Sequence, residues 1–105
     1  MTALYASGIY LAFSEGNWIA EVQYSKESPP EPCIEGTIGP RHYGILAQSI
    51  DLAKTAAESI GVVFYQPSIF VEGDGEDASV ALPPDWRQLI AQQCKRLGWE
   101  SVYED

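Results

Sequence analysis

The only histidine of the chain, His42, stands between Arg41 and Tyr43, and this triplet is the first place to look for chemistry. A guanidinium and an imidazole beside the free N–H groups of a helix start bind phosphate or carboxylate, because unpaired amides and the helix dipole both favour anions there. Gly36-Thr37-Ile38-Gly39 ahead of the triplet has the glycines of a turn without the spacing of a P-loop or a dinucleotide fingerprint. A second cluster, Glu72, Asp74, Glu76 and Asp77, places four carboxylates within six residues. Alternating oxygen ligands open a calcium loop, yet an EF-hand counted from Glu72 needs glycine where Asp77 stands and glutamate where Pro83 stands. The cluster therefore reads as a solvated acidic turn that a cationic partner would meet.

Nucleophilic chemistry finds no footing in the pattern. There is no Gly-x-Ser-x-Gly elbow, and Cys33 and Cys94 form neither a CxxC pair nor a disulfide framework. Cys94 falls on the apolar side of a predicted helix, as a small buried hydrophobe does, and Cys33 lies in a proline-rich loop. The residues assign no catalytic group, no metal site and no cofactor. A small-ligand or enzymatic reading rests on the Arg41/His42 region alone.

Charge narrows the partners. Fifteen acidic residues against six basic ones give a formal net charge of −9. Nucleic acid is disfavoured because phosphate contacts demand a basic face. Anionic membrane surfaces repel such a chain, and no run approaches the roughly 18 to 20 apolar residues of a bilayer span. A basic protein surface is the natural counterpart, met by fast and salt-sensitive association. The expectation is a small acidic protein-interaction module, an inhibitor or immunity-type antagonist that covers a basic site. The alternative is a non-catalytic homo-oligomeric or accessory subunit. Aromatic residues anchor interfaces, and Tyr5 or Tyr10 on the first strand, Tyr65, and Trp99 with Tyr103 are the candidates here. The first basic residue is Lys26, so the apolar N-terminus lacks the charged start of a secretory signal. It reads as a strand of a cytoplasmic protein.

Elements must position these residues, and 105 residues suffice for one globular domain, 1–105, with one core. Residues 3–13 and 17–25 flank Ser14-Glu15-Gly16-Asn17, the composition of a tight hairpin turn. Trp18, Ala20, Val22 and Tyr24 alternate with Asn17, Ile19, Glu21, Gln23 and Ser25, so one face of the second strand is buried. The first strand is apolar on both sides, Tyr5, Ile9, Leu11 and Phe13 against Leu4, Ala6, Tyr10 and Ala12, which argues for a central place in the sheet. Gly8 in its middle signals a bulge or a close backbone approach.

Residues 25–32 read as an exposed connector, and Cys33 to Ile38 as a short third strand. From Pro40 or Tyr43 onward, Leu46, Ile50, Ala53, Ala57 and Ile60 trace one helical stripe, with Gly61 past its end. Residues 62–72 form a strand that Pro67 kinks and confines to an edge, and an uncovered edge at 68–72 would accept a second copy of the chain. A brief extended stretch runs from Ala78 to Leu82. Pro83-Pro84-Asp85 then opens a helix with Trp86, Leu89, Ile90, Cys94 and Leu97 on its apolar side and Gly98 beyond it. Residues 99–105 are expected as a short tail. The order β-β-(β)-α-β-α implies an α+β two-layer sandwich, with two helices on one face of a mainly antiparallel sheet of three to five strands.

Overall fold

The computed structural model describes residues 4–24, 40–72 and 82–103. Strands β1 (Leu4–Ser14) and β2 (Asn17–Tyr24) form an antiparallel hairpin in which Ser14 faces Asn17. Glu15 and Gly16 turn the corner with φ of 52° and 81°, the double positive φ that matches the twist of two strands. Strand β3 (Arg41–Gly44) adds antiparallel to β2, and helix α1 (Leu46–Ser59) crosses the sheet to β4 (Val62–Val71), which runs parallel to β1. Helix α2 (Trp86–Leu97) completes the order β-β-β-α-β-α. The sheet is β3-β2-β1-β4, so β1 is central and β4 forms an edge, as the two-sided apolar pattern and Pro67 imply. The one parallel pair follows from connectivity: β3 already runs along β1, and a helical crossover returns the chain in the same direction.

Both helices cover one face of the sheet. Helix α1 lies chiefly over β2 and β3 and α2 over β4, and Arg96 of α2 reaches Asp51 of α1 at 2.8 Å. Between the layers are Ile9, Leu11, Ala20, Val22, Ile69 and Val71 from the strands, Ile50, Ala53 and Ala57 from α1, and Trp86, Ile90 and Cys94 from α2. Each larger aliphatic side chain so buried contributes about 1.5–3 kcal/mol. Ala53 and Ala57 are fully buried, and their small side chains let α1 approach the sheet closely.

Several expectations are corrected. Residues 41–44 form an edge strand and not the start of a helix; α1 begins at Leu46 behind an N-cap residue, Ile45, whose side chain makes no capping bond. Ser49 joins the buried stripe of α1, its Oγ donating to the Trp18 carbonyl at 3.4 Å, and Ile60 leaves it at 60% exposure. In β1 the buried residues are Ala6, Gly8, Ile9 and Leu11. Ser7 is an extra residue between the pairs Ala6–Tyr24 and Gly8–Gln23, which reverses the phase and puts Ala6 on the face of Ile9. Opposite the same point β4 carries Tyr65, Gln66 and Pro67 between the partners of Ala6 and Gly8. The bulge that Gly8 signals is thus shared by both neighbours of β1. The expected connector at 25–32, the strand at 33–38 and most of the stretch from 78 to 82 lie outside the described residues.

Candidate functional site

The edge strand splits the Arg41, His42, Tyr43 triplet between two faces and brings only Arg41 and Tyr43 side by side. Successive strand residues point to opposite faces, so Arg41 and Tyr43 project outward while His42, paired with buried Ala20, turns toward the helix layer. Arg41 is engaged: its Nε donates to Glu21 Oε1 at 2.6 Å, and a second guanidinium nitrogen pairs with the same carboxylate. The hydrogen bond to Glu21, then its charge, hold the Arg41 pKa above the ordinary value. His42 keeps a buried Nε2 with no hydrogen-bond partner among the described residues. The helix whose amides were to complete an anion site starts beyond the strand, at Leu46.

The other expected residues separate as well. Glu72 follows the end of β4 and is partly buried; Asp74, Glu76 and Asp77 lie outside the described residues. Tyr65 is exposed on β4 just ahead of the kink. Tyr103 is a clamp and not part of a loose tail, because its ring stacks edge-on against Trp86 at 4.9 Å and its hydroxyl accepts the Val71 N–H at 2.9 Å. That bond also occupies part of the 68–72 edge. Trp99 packs on Phe64, with ring centroids 5.2 Å apart.

Trp99 reaches Phe64 because of how α2 stops. Gly98 adopts φ 77°, its N–H donates to the Lys95 carbonyl and the Trp99 N–H donates to the Cys94 carbonyl at 2.8 Å. This double closure is the Schellman end that a C′ glycine permits, and it swings the next residue back across the helix terminus. On the facing side, Gln66 takes φ 46° immediately before Pro67, a left-handed conformation that costs a non-glycine residue of order 1–3 kcal/mol. The bend of β4 and the end of α2 thereby leave an open cleft of about 580 Å³, lined by Lys54, Glu58, Val62, Phe64, Pro67 and Trp99. A smaller recess of about 280 Å³ lies against Gln66 and Glu100.

Electrostatics of the cleft follow from what its charges already hold. Lys54 Nζ bonds Glu58 Oε2 at 3.0 Å one helical turn away, and Glu100 is exposed with no ion pair among the described residues. Lys54 and Glu58 thus cancel beside the floor of Phe64, Pro67 and Trp99, and the uncompensated charge is that of Glu100 in the adjoining recess. Exposed Ile60, Val63 and Tyr65 continue the apolar surface along α1's end and β4. Such a site takes an apolar or long cationic side chain, whose methylene stem lies on the rings while its head meets a carboxylate. Sequence reasoning saw the Pro67 kink and the Gly98 stop separately; that they meet in space depends on the packing of α2 over β4.

The remaining titratable groups are placed differently. Cys94 is a buried free thiol. Burial pushes its pKa up, against smaller lowering contributions from the Ile69 backbone and the Ser101 and Ser68 hydroxyls. Arg87 lies 4.4 Å from the centre of the Trp86 ring. Among the described residues no group of three or more His, Cys, Asp or Glu side chains is arranged to hold a metal ion, and no helix is long and apolar enough to cross a membrane. Comparison with protein-family models, with curated proteins and with solved structures returns no match.

Proposed function

We propose that this chain is an acidic protein-interaction module that binds a partner presenting a basic surface, in the manner of an inhibitor or immunity-type antagonist. The observation that carries this reading is the cleft between the bend of β4 and the end of α2, where Phe64, Pro67 and Trp99 form an apolar floor and Glu100 of the adjoining recess is an acid without an ion pair among the described residues. Its nearest cation, Lys54, is already bound to Glu58. Aromatic floor and charged rim are the two parts of a protein-binding hot spot, and the net charge of −9 supports attraction to a basic partner at long range. A cytoplasmic location belongs to the same reading, since two cysteines make no disulfide framework of the secreted kind.

The test is affinity purification of the tagged protein from its native host at low salt, followed by elution in rising salt. A stoichiometric basic partner is expected, weakened by about tenfold or more between low and moderate ionic strength as the Debye length contracts. Retention of a partner independent of salt, or recovery of a second copy of the chain alone, would count against the reading and favour an apolar self-associating subunit.

A further inference from the structure

We infer that the free edge of β4 over Val62–Gln66 accepts an extended segment of the basic partner as an added strand, with lysine or arginine at alternate positions of that segment. The inference rests on the interaction-module reading and specifies its site and the chemistry of its occupant. Three observations meet at this edge. First, among the described residues β4 is the terminal strand on its side of the sheet. Beyond the kink its edge is partly used, because Tyr103 takes the Val71 N–H; before the kink no side chain among the described residues hydrogen-bonds the backbone of residues 62–66. Second, the chain from Ile60 to Val71 contains no charged residue. Edge strands are ordinarily guarded by charges that repel another strand, and only Pro67 and the bulge interrupt this one. Third, the cleft opens along Val62, Val63 and Phe64, and Gln66 borders the recess that adjoins it.

Alternation decides the occupant. Val62 and Phe64 face the helix layer, whereas Val63 and Tyr65 are exposed at 48% and 40%. A strand added beside them sends alternate side chains to the same two sides. On the cleft side a lysine or arginine lays its stem on Phe64 and Trp99 and brings its charge to Glu100 in the adjoining recess. On the other side an apolar residue packs on Tyr65 and on the exposed part of Val63, which also borders the cleft. Charge complementarity therefore selects an alternating basic and apolar segment. A second copy of this chain fits poorly, since its own residues 62–66 supply no cation to Glu100.

The probe is the blocked peptide acetyl-Val-Lys-Val-Lys-Val-amide, titrated into the isotope-labelled full chain and followed by amide and indole chemical shifts. Shifts are expected at Val62–Gln66 and at the Trp99 indole, with binding weakened about tenfold when glutamate replaces both lysines, by loss of charge-assisted contacts. Comparable weakening is expected when the ladder-forming amides of the peptide are N-methylated, which removes the main-chain bonds of strand addition. Glu100→Lys, an exposed change, should reproduce the charge effect without perturbing the fold. Binding that survives N-methylation, shifts confined to other surfaces, or residues 62–66 already paired with a second copy in the free protein would each overturn the inference. A basic partner recovered equally well by wild type and Glu100→Lys would also overturn it while leaving the interaction-module reading intact. Peptide shifts at 62–66 with only a second copy recovered from the host would support the edge site and remove that broader reading.

Discussion

Gly8 is the one among the described glycines whose replacement the fold tolerates least. Its φ is +144°, and a Cβ built on it stands 1.8 Å from the Ser68 carbonyl oxygen. Both the backbone conformation and the space therefore exclude a side chain, and neither β1 nor β4 can withdraw without opening the core beside Ile9 and Ile69. Gly8→Ala should cost about 3 kcal/mol, combining conformational strain with overpacking. Denaturant and thermal unfolding would read it as a fall in melting temperature on the order of 15 °C; a loss under about 1 kcal/mol would mean that the shared bulge relaxes. The special role of Gly8 was legible from a glycine set in an apolar strand. The approach of Ser68 was not, because it depends on three residues of a distant strand bulging opposite one. Two titratable groups, buried Cys94 and partly buried Tyr24, add a pH effect. Burial raises the pKa of Cys94 above 9.0 and that of Tyr24 above 10.0, so the native state keeps these protons to higher pH than the unfolded chain does. Their contribution is whole below the unfolded value of 9.0 and is lost as pH rises through the folded values. The urea midpoint should decline from about pH 9 upward, with the first part of the decline absent in Cys94→Ala. A midpoint as steep in that variant would assign the whole effect elsewhere.

Helix α1 shows why some elements were readable and others were not. Its buried face repeats with helical period and its end is marked by Gly61, so its existence and its C-terminus were plain from sequence. Its start was not, because the N-cap position holds Ile45, which is 68% exposed and supplies no capping oxygen. Without that mark the apolar period runs back into Tyr43, and the edge strand 41–44 is absorbed into the helix. Strand β3 has only four residues and owes its conformation to pairing with Trp18 to Glu21, a tertiary cause that local pattern does not carry. The cleft has the same kind of origin. The missing cap is itself testable. Ile45 has the extended backbone of an N-cap, φ −76° and ψ 154°, its carbonyl accepts the Ser49 N–H at 2.8 Å, and Gln48 occupies N3. Ile45→Asp should provide the absent acceptor, complete a capping box with Gln48 and stabilise the protein by about 1 kcal/mol. Unchanged or lower stability on urea unfolding would show that the Ile45 side chain contributes packing that outweighs a cap.

At the scale of the whole molecule the charge is unevenly distributed along the chain. The described residues hold seven acids and five bases, while eight acids and one base fall in the remaining segments. Within the described body three cations are bound in pairs, Arg41 to Glu21, Lys54 to Glu58 and Arg96 to Asp51. These pairs are partly or largely exposed, and such pairs contribute about 0–1 kcal/mol each, an attraction that salt weakens. Salt equally weakens the repulsion among the excess acids. The two changes oppose each other and both are small, so the free protein should keep its melting temperature within about 5 °C between roughly 0.02 and 0.5 M sodium chloride. Association with a basic partner has no such cancellation, because it brings unlike net charges together and loses affinity as they are screened. Scanning fluorimetry of the free chain across that salt range is therefore the control on which the binding experiment depends. A level melting temperature assigns salt-dependent loss of a partner to the interface, whereas a steep rise would show acidic segments pressing against the folded body, so that salt sensitivity of binding would carry a folding component.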